Sequence, residues 1–296
     1  MSYYISFDIG GTYTKFGILD ESFNVIECDQ FPTQAYRGGR EIINQVIGKV
    51  NDYLTKYPLE GVAISSAGII DPFKGEVIFA ANAIPNYIGV KIIEMVETQT
   101  GLKTEVNNDV KCFALCEKAL GNAQDVTNFL TLTIGTGIGG AIYIGDKLYY
   151  GTSFSAGEWG RVLINGRCFE DLASITALIN RAKEIIEDKE WTGRAIFDLY
   201  DQNHPDAVKV VNEFYENLGT GITNLIYIFN PQRVLIGGGI TQRSSFLDEL
   251  LTAINKIIIP KLLEDTQIMT TKYSNHSGML GALVHFFNMQ KLRNLK

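Results

Sequence analysis

Two glycine-rich turns of the same design lie far apart in the chain. The first, Asp8 to Lys15, follows a predicted strand over residues 3–7 and precedes another over residues 16–19. The second, Gly135 to Gly140, follows a predicted strand over residues 129–134 and leads into a further one. Each block continues through another turn into a third strand, which predicts two β-meanders. The repeat therefore predicts two similar α/β halves.

The chemistry of the first turn suits a phosphate group. Glycines accept positive φ and lack the Cβ that keeps a ligand off the backbone. Exposed N–H groups, with the hydroxyls of Thr12 and Thr14 nearby, form a concavity for phosphate oxygens. Asp8 is placed to hold Mg²⁺ or its water shell, since magnesium takes carboxylate and phosphate oxygens. An ordinary Gly-Gly hairpin beside a solvated aspartate is the alternative at this point.

Composition narrows the class of protein. The chain has 296 residues, 46% hydrophobic and 20% charged, which predicts a globular protein of about two domains. Its 26 basic and 33 acidic residues argue against a nucleic-acid-binding surface. We see no apolar run of membrane-spanning length and no signal peptide, and the first strand begins almost at Met1. We therefore expect a cytoplasmic protein with neither a membrane anchor nor an attached DNA-binding domain.

The cysteine pattern predicts reduced thiols. The four cysteines are Cys28, Cys112, Cys116 and Cys168, and none forms a C-x-x-C pair. In a chain of this length they fit reduced residues better than a disulfide framework. Cys112 and Cys116 lie four apart on a predicted helix, which favours two small buried hydrophobic residues over a redox pair.

Three further turns follow predicted strands and carry candidate ligand contacts. A small-residue turn ends at Gly68, where the backbone can approach a ligand. Asn108 and Asp109 open a helix predicted over 110–120, either as an ordinary N-cap or as a carboxylate at the carboxyl end of a strand. Gly238 and Gly239 follow a strand and precede a helix, a context that suits a nucleotide. The remaining predicted helices cover 37–57, 90–101, 170–189, 204–229, 244–257 and residues from 277 onward.

These motifs occur together, in order, in one known family. The motifs are Asp8 to Lys15, Asn82 with Pro85, Asn108 with Asp109, Gly135 to Gly140, Ala156 to Gly160, and Gly237 to Gly239. On them the chain resembles the ROK family of bacterial sugar kinases. The resemblance implies an α/β, two-domain, actin-like (ribonuclease H-like) ATPase fold with an interdomain cleft. It implies an N-terminal domain over 1–118, a C-terminal domain over 119–281, and a last helix, about 282–296, packing back on the first domain.

The resemblance also implies a role for each site residue. Asp109 corresponds to the general base that takes the proton of the attacking sugar hydroxyl. The sugar-binding positions are Gly68, Asn82, Asn108, Asp109, Glu158 and Arg161. The ATP-binding positions are Asp8, Gly10, Gly11, Thr12, Lys15, Gly135, Thr136, Gly137, Gly238 and Gly239. Asp8 is also the expected Mg²⁺ residue, through water or phosphate.

The chain departs from the family at its zinc module. Arg161 stands where a histidine usually follows the loop glutamate, and Cys168 is what remains of a cysteine run. One cysteine without a nearby histidine cannot supply four tetrahedral ligands, so we expect no zinc. The guanidinium of Arg161 either contacts the sugar or pairs with Glu158 or Glu170. We favour the pairing, because an Arg fork matches a carboxylate.

The implied activity is ATP- and Mg²⁺-dependent phosphorylation of a hexose or hexose derivative. Glucose, fructose, N-acetylmannosamine and β-glucosides all remain open as acceptors, and the loop around Pro85 is similar to that of N-acetylmannosamine kinases. The alternatives are a sugar-sensing regulator of the same fold and a phosphate-clamp ATPase of the chaperone or filament type. Family members are usually homodimers.

Overall fold

The computed structural model describes residues 2–80, 84–187, 189–273 and 275–295. The strands are β1 Tyr3–Ile9, β2 Tyr13–Asp20, β3 Val25–Pro32, β4 Leu59–Ser66, β5 Ile69–Asp71, β6 Glu76–Phe79, β7 Thr104–Asn108, β8 Phe129–Ile134, β9 Ile138–Ile144, β10 Lys147–Tyr149, β11 Leu163–Ile164, β12 Arg167–Cys168, β13 Arg233–Gly237 and β14 Gln267–Thr270. The α-helices are α1 Gly39–Leu54, α2 Ile92–Thr100, α3 Asp109–Ala119, α4 Glu170–Ala173, α5 Ile175–Ile185, α6 Gly193–Asp201, α7 Pro205–Phe229, α8 Phe246–Asn255, α9 Pro260–Asp265 and α10 Ser277–Asn294. Short 3₁₀ turns cover Ala35–Arg37, Trp159–Arg161 and Gly239–Gln242. No described helix combines the length and the apolar character needed to cross a bilayer.

Two five-stranded sheets share one topology. Their strand orders are β3-β2-β1-β4-β7 and β10-β9-β8-β13-β14. In each, the first three strands form an antiparallel meander, and two further strands pair parallel with it. Parallel pairing needs a crossover connection, and helices supply it in both sheets. The predicted α/β fold with a repeated meander is confirmed.

The chain folds into two compact units. Unit 1 comprises Met1–Gln124, Tyr150–Ser155 and Tyr273–Lys296, and unit 2 comprises Asp125–Tyr149 and Ala156–Lys272. The sequence placed these divisions at 118/119 and 281/282. The segment after α3 stays with unit 1 because Glu117 accepts hydrogen bonds from the Asn122 and Ala123 amides.

Successive side chains of β1 point alternately to the two faces of the first sheet, and the two faces differ in character. Ile5, Phe7 and Ile9 share one hydrophobic cluster with the apolar stripes of α1 and α2. The opposite face carries smaller residues, and there Ser6 donates a hydrogen bond of 2.8 Å to the Met279 carbonyl of α10. The small side chains let α10 and α3 pack close to the sheet.

The core of unit 2 is built on the second sheet. Apolar residues of β8, β9 and β13 share one buried cluster with residues of α5, α6, α7 and α8. The long α7 begins with Pro205 at its first position, as the sequence predicts, and ends at Asn230 in the left-handed conformation. Trp159 joins the cluster, and its indole Nε1 donates to the Thr131 carbonyl.

Several predicted boundaries are wrong for local reasons. The second hairpin turn ends at Gly137, because Ile138 already pairs with Ile134 and β9 begins there. The helix predicted over 170–189 breaks at Ser174, whose hydroxyl caps a new helix by accepting from the Ala177 amide. The β5–β6 hairpin and α6 escaped prediction. Side-chain hydrogen bonds stabilise the turn of the hairpin and the start of the helix. Asp71 accepts from two amides of the β5–β6 turn, and Thr192 is the N-cap of α6.

Substitution of Gly281 tests the packing of α10 on α3. A Cβ on Gly281 would overlap the Cys112 carbonyl of α3, so Gly281→Ala forces two packed helices apart. We expect it to lower the free energy of unfolding by roughly 3 kcal/mol, measured by urea titration of the far-UV CD signal.

Gly48→Ala is the matched control for that experiment. Gly48 also lies inside a helix, but a Cβ there would meet no described heavy atom within 4 Å. It should raise stability by about 0.5–1 kcal/mol through lower entropy of the unfolded chain. Equal effects of the two substitutions would contradict the assigned packing.

Candidate functional site

Three parallel strands of unit 1 end at one edge of the first sheet. The register aligns Ile9 of β1 with Ser66 of β4, and Ser66 with Asn108 of β7. The Gly10–Thr12 turn, the turn at Gly68, and Asp109 follow directly on these strands. Neighbouring strands lie about 4.8 Å apart, so the first turn and Asp109 are separated by roughly 10 Å.

The Gly10–Thr12 turn is closed by its own backbone and held from one side. The Gly10 amide donates to the Tyr13 carbonyl at 3.2 Å, and Thr33 donates to the carbonyls of Gly10 and Thr12. Thr33 therefore engages the carbonyl side of the turn. The buried Thr14 hydroxyl bonds to that of Thr33, so the expected contribution of Thr14 to a phosphate concavity is wrong.

Gly11 is a glycine that the fold itself does not require. Neither Gly10 nor Gly11 has positive φ, and a Cβ on Gly11 would meet no described heavy atom within 4 Å. Neither backbone conformation nor packing excludes a side chain there. The position leaves room for a ligand at the exposed tip of the turn.

Asp8 lies within β1, pointing to the same face as Ser65. The Ser65 hydroxyl donates to its Oδ1 at 2.7 Å, and Lys15 is its partner across the hairpin. Burial raises the pKa of Asp8 above its usual value, although the hydrogen bond from Ser65 and the charge of Lys15 oppose the shift. A Cβ on Gly278 would overlap the carboxylate, so the N-terminus of α10 lies against it.

One carboxylate at this edge is compatible with Mg²⁺, which keeps several waters and takes one or two carboxylates plus phosphate. Among the side chains that the structure describes, no three His, Cys, Asp or Glu residues are grouped so as to hold a metal ion.

The side chain of Asn108 holds Asp109 at the start of α3. Its Oδ1 accepts from the amides of Val110 and Lys111, both at 3.1 Å. Its Nδ2 donates to the Gly68 carbonyl at 2.9 Å and to Asp109 Oδ1 at 2.8 Å. Both hydrogens and two acceptor positions of the amide are thus used within unit 1. Asn108 is therefore the N-cap, and the same side chain orients the Asp109 carboxylate; a ligand contact at this strand end stays a prediction.

A second layer supports this edge and was missed by sequence reasoning. Asn107 accepts from the Asn108 amide, which leaves its Nδ2 facing Tyr150 Oη at 2.8 Å and His285 Nδ1 at 3.3 Å. Burial lowers the pKa of His285 to about 3, so this histidine is neutral near neutral pH. These residues are distant in sequence, and no local pattern marks them.

The Gly68 turn is shaped by backbone contacts. Gly68 has φ of 97°, and a Cβ would lie 2.8 Å from the Phe79 carbonyl. Beside it, the Ser66 hydroxyl bonds to that of Tyr87 at 2.6 Å. Burial raises the pKa of Tyr87 to about 12, and the charge of Asp109 acts in the same direction. Asn82, the other predicted residue near this turn, lies outside the described residues.

Unit 2 contains a cavity of about 730 Å³ next to the second glycine turn. Gly135 and Thr136 line it, as does Gly239. A Cβ on Gly135 or Gly239 would meet no described heavy atom within 4 Å, and neither residue has positive φ. The cavity wall also includes Ile175, Thr176, Ile179, Arg194, Phe197, Asp198 and Arg243.

Two further predicted glycines of unit 2 have close neighbours within the fold. Gly238 has φ of 105°, and a Cβ there would overlap the Ile134 carbonyl. A Cβ on Gly137 would lie 2.7 Å from a carboxylate oxygen of Glu170. Neither of the two lines the cavity. The backbone requires a glycine at Gly238, whereas the contact at Gly137 is with the flexible end of one side chain.

Arg243 fixes one wall of the cavity. Its guanidinium forms two hydrogen bonds to Asp201, at 2.7 and 2.6 Å, and two to Glu249, at 3.1 and 2.7 Å. It also lies over the Phe197 ring, 4.9 Å from the centroid. These bonds tie α6 to α8, because Asp201 ends the one and Glu249 lies in the other. The sequence offered no signal for this arrangement.

The loop with Glu158 and Arg161 also belongs to unit 2. Arg161 pairs with Glu170 at 3.3 Å, which is the pairing that the sequence favoured. Its side chain is two-thirds exposed, so the pair is open to solvent. Glu158 is half-buried and precedes the 3₁₀ turn that carries Trp159. Gly140 lacks a Cβ where the Trp159 indole packs, so that glycine serves the core.

Known proteins that are similar in sequence cover most of this chain. The model of the ROK family matches residues 4–288. The chain is 35% identical to a β-glucoside kinase of Klebsiella pneumoniae over 292 residues, covering 95% of each protein. It is also 29% identical to a protein of Caldicellulosiruptor sp. assigned as a xylose repressor, covering 77% of this chain and 63% of that one.

Solved structures show the same fold. The Lmo2764 protein of Listeria monocytogenes, to which N-acetylmannosamine kinase activity is ascribed, superposes with a TM-score of 0.88 at 32% identity, covering 97% of this chain and 99% of that one. A ROK family glucokinase of Streptomyces griseus, in complex with glucose and AMPPNP, superposes with a TM-score of 0.80 at 26% identity, covering 95% and 98%. The expected actin-like sugar-kinase fold is confirmed.

Replacing Asp8 should stabilise the protein. Because the folded protein holds the Asp8 proton more tightly than the unfolded chain, ionisation of Asp8 lowers stability as pH rises through its raised pKa. We expect Asp8→Asn to raise the Tm at neutral pH, with the gain vanishing at acid pH, below the unfolded pKa of about 3.9. Asp52→Asn, at an exposed position of α1, should change the Tm little. A lower Tm for Asp8→Asn at neutral pH would contradict this account.

Two adjacent glycines should separate folding from ligand binding. Gly239 is one of the predicted ATP contacts, so Gly239→Ala should fold with unchanged stability but weaken ATP binding, measured by calorimetry, roughly tenfold or more, since a Cβ there adds bulk to a residue of the cavity wall. Gly238→Ala should lose stability, because its φ and the Ile134 carbonyl exclude a side chain. Unchanged ATP affinity in Gly239→Ala would show that the cavity binds nothing at this position.

Proposed function

We propose that this chain, which belongs to the ROK family, is an ATP-dependent kinase that phosphorylates a hydroxyl of a hexose or hexose derivative. The observation that carries the proposal is that β1, β4 and β7 end side by side, so that the Gly10–Thr12 turn and Asp109 follow at one edge of the first sheet. Ligands of open α/β sheets bind at the carboxyl ends of strands. The names of the relatives support the same class of activity, since they include a β-glucoside kinase and a glucokinase.

Asp109 is the proposed general base. Phosphoryl transfer needs alignment and charge stabilisation more than covalent help from the protein. A carboxylate within hydrogen-bond reach of the sugar hydroxyl accepts its proton as the bond to phosphorus forms. The bonds from Asn108 and the Val110 amide to Oδ1 fix the rotamer of Asp109 before the sugar binds.

The phosphates of ATP are assigned to the two glycine turns. In unit 1, the amides of Gly11 and Thr12 are assigned to the phosphates, and Gly10 shapes the turn, because its own amide bonds to the Tyr13 carbonyl. Lys15 supplies positive charge on the adjoining strand. Asp8 would hold Mg²⁺, through water or directly, and the ion would neutralise charge on the phosphates. A cation next to the half-buried Asp8 would favour its ionised form, which desolvation otherwise disfavours.

The cavity of unit 2 is assigned to the nucleoside of ATP. Its volume of about 730 Å³ lies in the range of small-molecule sites. Phe197 and two isoleucines of α5 offer apolar surface to a purine, while Gly135, Thr136 and Gly239 leave space for sugar and phosphate. Gly137 and Gly238, which do not line the cavity, then contribute to ATP binding by shaping the turns that carry the lining residues.

The sugar contacts are proposed at Gly68, Asn82, Asn108, Asp109 and Glu158, with Arg161 at the same loop. Asn108 is committed to four internal bonds, so its contribution is to orient Asp109 unless a sugar hydroxyl replaces one of them. The exposed pair of Arg161 with Glu170 leaves the guanidinium able to exchange partners. We also propose a homodimer, which is usual in the family.

A sugar-sensing regulator is the second candidate, because one relative is assigned as a xylose repressor. A regulator of this fold binds sugar without producing ADP. A coupled ADP-release assay with glucose, fructose, mannose, N-acetylmannosamine and cellobiose separates the two functions. Sugar binding without ADP release across this panel would favour the regulator.

Removal of the Asp109 carboxylate tests the proposed base. Asp109→Asn keeps the shape of the side chain but cannot accept the proton. We expect kcat to fall about 100-fold or more, the usual size of general-base catalysis, with sugar affinity by calorimetry nearly unchanged.

Asp52→Asn serves as the control, since it makes the same chemical change at an exposed position of α1. The control should match the wild type in both measurements. Near-normal turnover in Asp109→Asn would assign the base to another residue.

A further inference from the structure

Three aromatic rings form an exposed cluster in unit 1, which we call the aromatic platform. It consists of Phe73, in the β5–β6 turn, and of Tyr150 and Phe154, in the segment 150–155. Each ring contacts both others, with centroid distances of 6.1, 6.2 and 6.4 Å. Phe73 is 49% exposed, and the other two are partly buried. The platform therefore offers ring surface to solvent.

The platform is attached to the segment that carries Asp109. Tyr150 Oη accepts a hydrogen bond of 2.8 Å from Asn107, two residues before Asp109. On the other side, β5 begins immediately after Gly68, whose carbonyl accepts from Asn108. The rings are thus joined to the candidate sugar site through two independent connections.

The backbone at Phe154 is unfavourable for a phenylalanine. Its φ is 62°, a left-handed conformation that suits glycine, and a bulky residue there is strained. Strain of this kind persists where the surroundings enforce it, and it concentrates at ligand sites. Glycine would relieve the strain, yet the ring at this position completes the platform.

We propose that the aromatic platform binds the aglycone of a glycoside whose sugar ring lies at Asp109. The occupant is a neutral group, either an aryl ring or a second pyranose. Aromatic rings offer flat apolar faces that pack against aryl rings and against the C–H faces of sugars. Beside Phe73, Asp71 accepts from two turn amides, and the ammonium of Lys74 is largely exposed, 4.0 Å from the Asp71 carboxylate. The surface of the platform itself consists of aromatic rings, so the platform selects for shape and apolarity. The inference rests on the proposed sugar site and makes the acceptor a glycoside.

The test compares two ligands that differ only in the aglycone, methyl and phenyl β-D-glucopyranoside, with the α anomers as a second pair. Affinity is measured by calorimetry without ATP, and kcat/KM by ADP release. We expect the wild type to prefer the phenyl glycoside in affinity. Phe73→Leu, which keeps apolar volume but removes the ring, should reduce that preference roughly threefold to tenfold, the size of an aromatic contact. Affinity for glucose should stay unchanged.

Two further variants complete the design. Phe154→Gly removes the ring and relieves the backbone strain, so it should fold at least as well as wild type while losing the phenyl preference. Tyr149→Ala removes a neighbouring tyrosine that is 53% exposed, and it should leave the preference intact.

The outcomes separate this inference from the proposed function. Equal affinity for methyl and phenyl glycosides in the wild type, or an undiminished preference in both Phe73→Leu and Phe154→Gly, overturns the platform. So does the absence of glycoside binding of any kind. A phenyl preference in binding without ADP release from any sugar supports the platform and overturns the kinase.

Discussion

The amide of Asn108 joins the elements on which the candidate site depends. It caps α3, bonds to the Gly68 carbonyl after β4, and holds the carboxylate of Asp109. Asn108 itself is buried, and these bonds satisfy the polar atoms of its side chain. Helix start, sheet edge and candidate base are therefore coupled through one side chain, and a shift of any of them strains the others.

Behind Asn108 lies a second set of buried polar groups. Asn107 accepts from the Asn108 amide and faces Tyr150 and the neutral His285 of α10. The network explains why the C-terminal helix belongs with unit 1: it supplies a buried partner at the β7 end, and its N-terminus lies against Asp8. A preorganised site needs such support, since catalytic groups act only in one geometry.

The glycines of this chain divide into two physical classes. Gly238, Gly140 and Gly281 are required by the protein itself, through positive φ or through atoms that occupy the space of a Cβ. Gly11, Gly135 and Gly239 have neither constraint and lie at a turn tip or a cavity wall. Asp8 is likewise a residue that the fold alone does not favour. Desolvation of its carboxylate costs stability, and a bound cation would recover that stability.

The sequence by itself determined the fold class, the repeated meander and the family. Strand alternation and glycine turns are local properties, and they predicted both meanders and the start of α7 at Pro205 correctly. Local signals also placed Asp109 at the junction of a strand and a helix. The N-cap Asn108 bonds to amides no more than three residues away, so the short sequence around it is enough to predict the helix start. The predictions failed where a side chain caps a turn or a new helix, as at Asp71 and Ser174. Such a cap can interrupt an element even where the apolar periodicity of the sequence continues.

Only the tertiary structure decided which residues act together. Parallel pairing of β1, β4 and β7 aligns Ile9, Ser66 and Asn108 across segments separated by dozens of residues, and register is a property of the paired strands. The same holds for the clamp of Arg243 between two helices and for the aromatic platform around Phe73. Their partners meet through packing between distant segments, for which a single sequence carries no local signal.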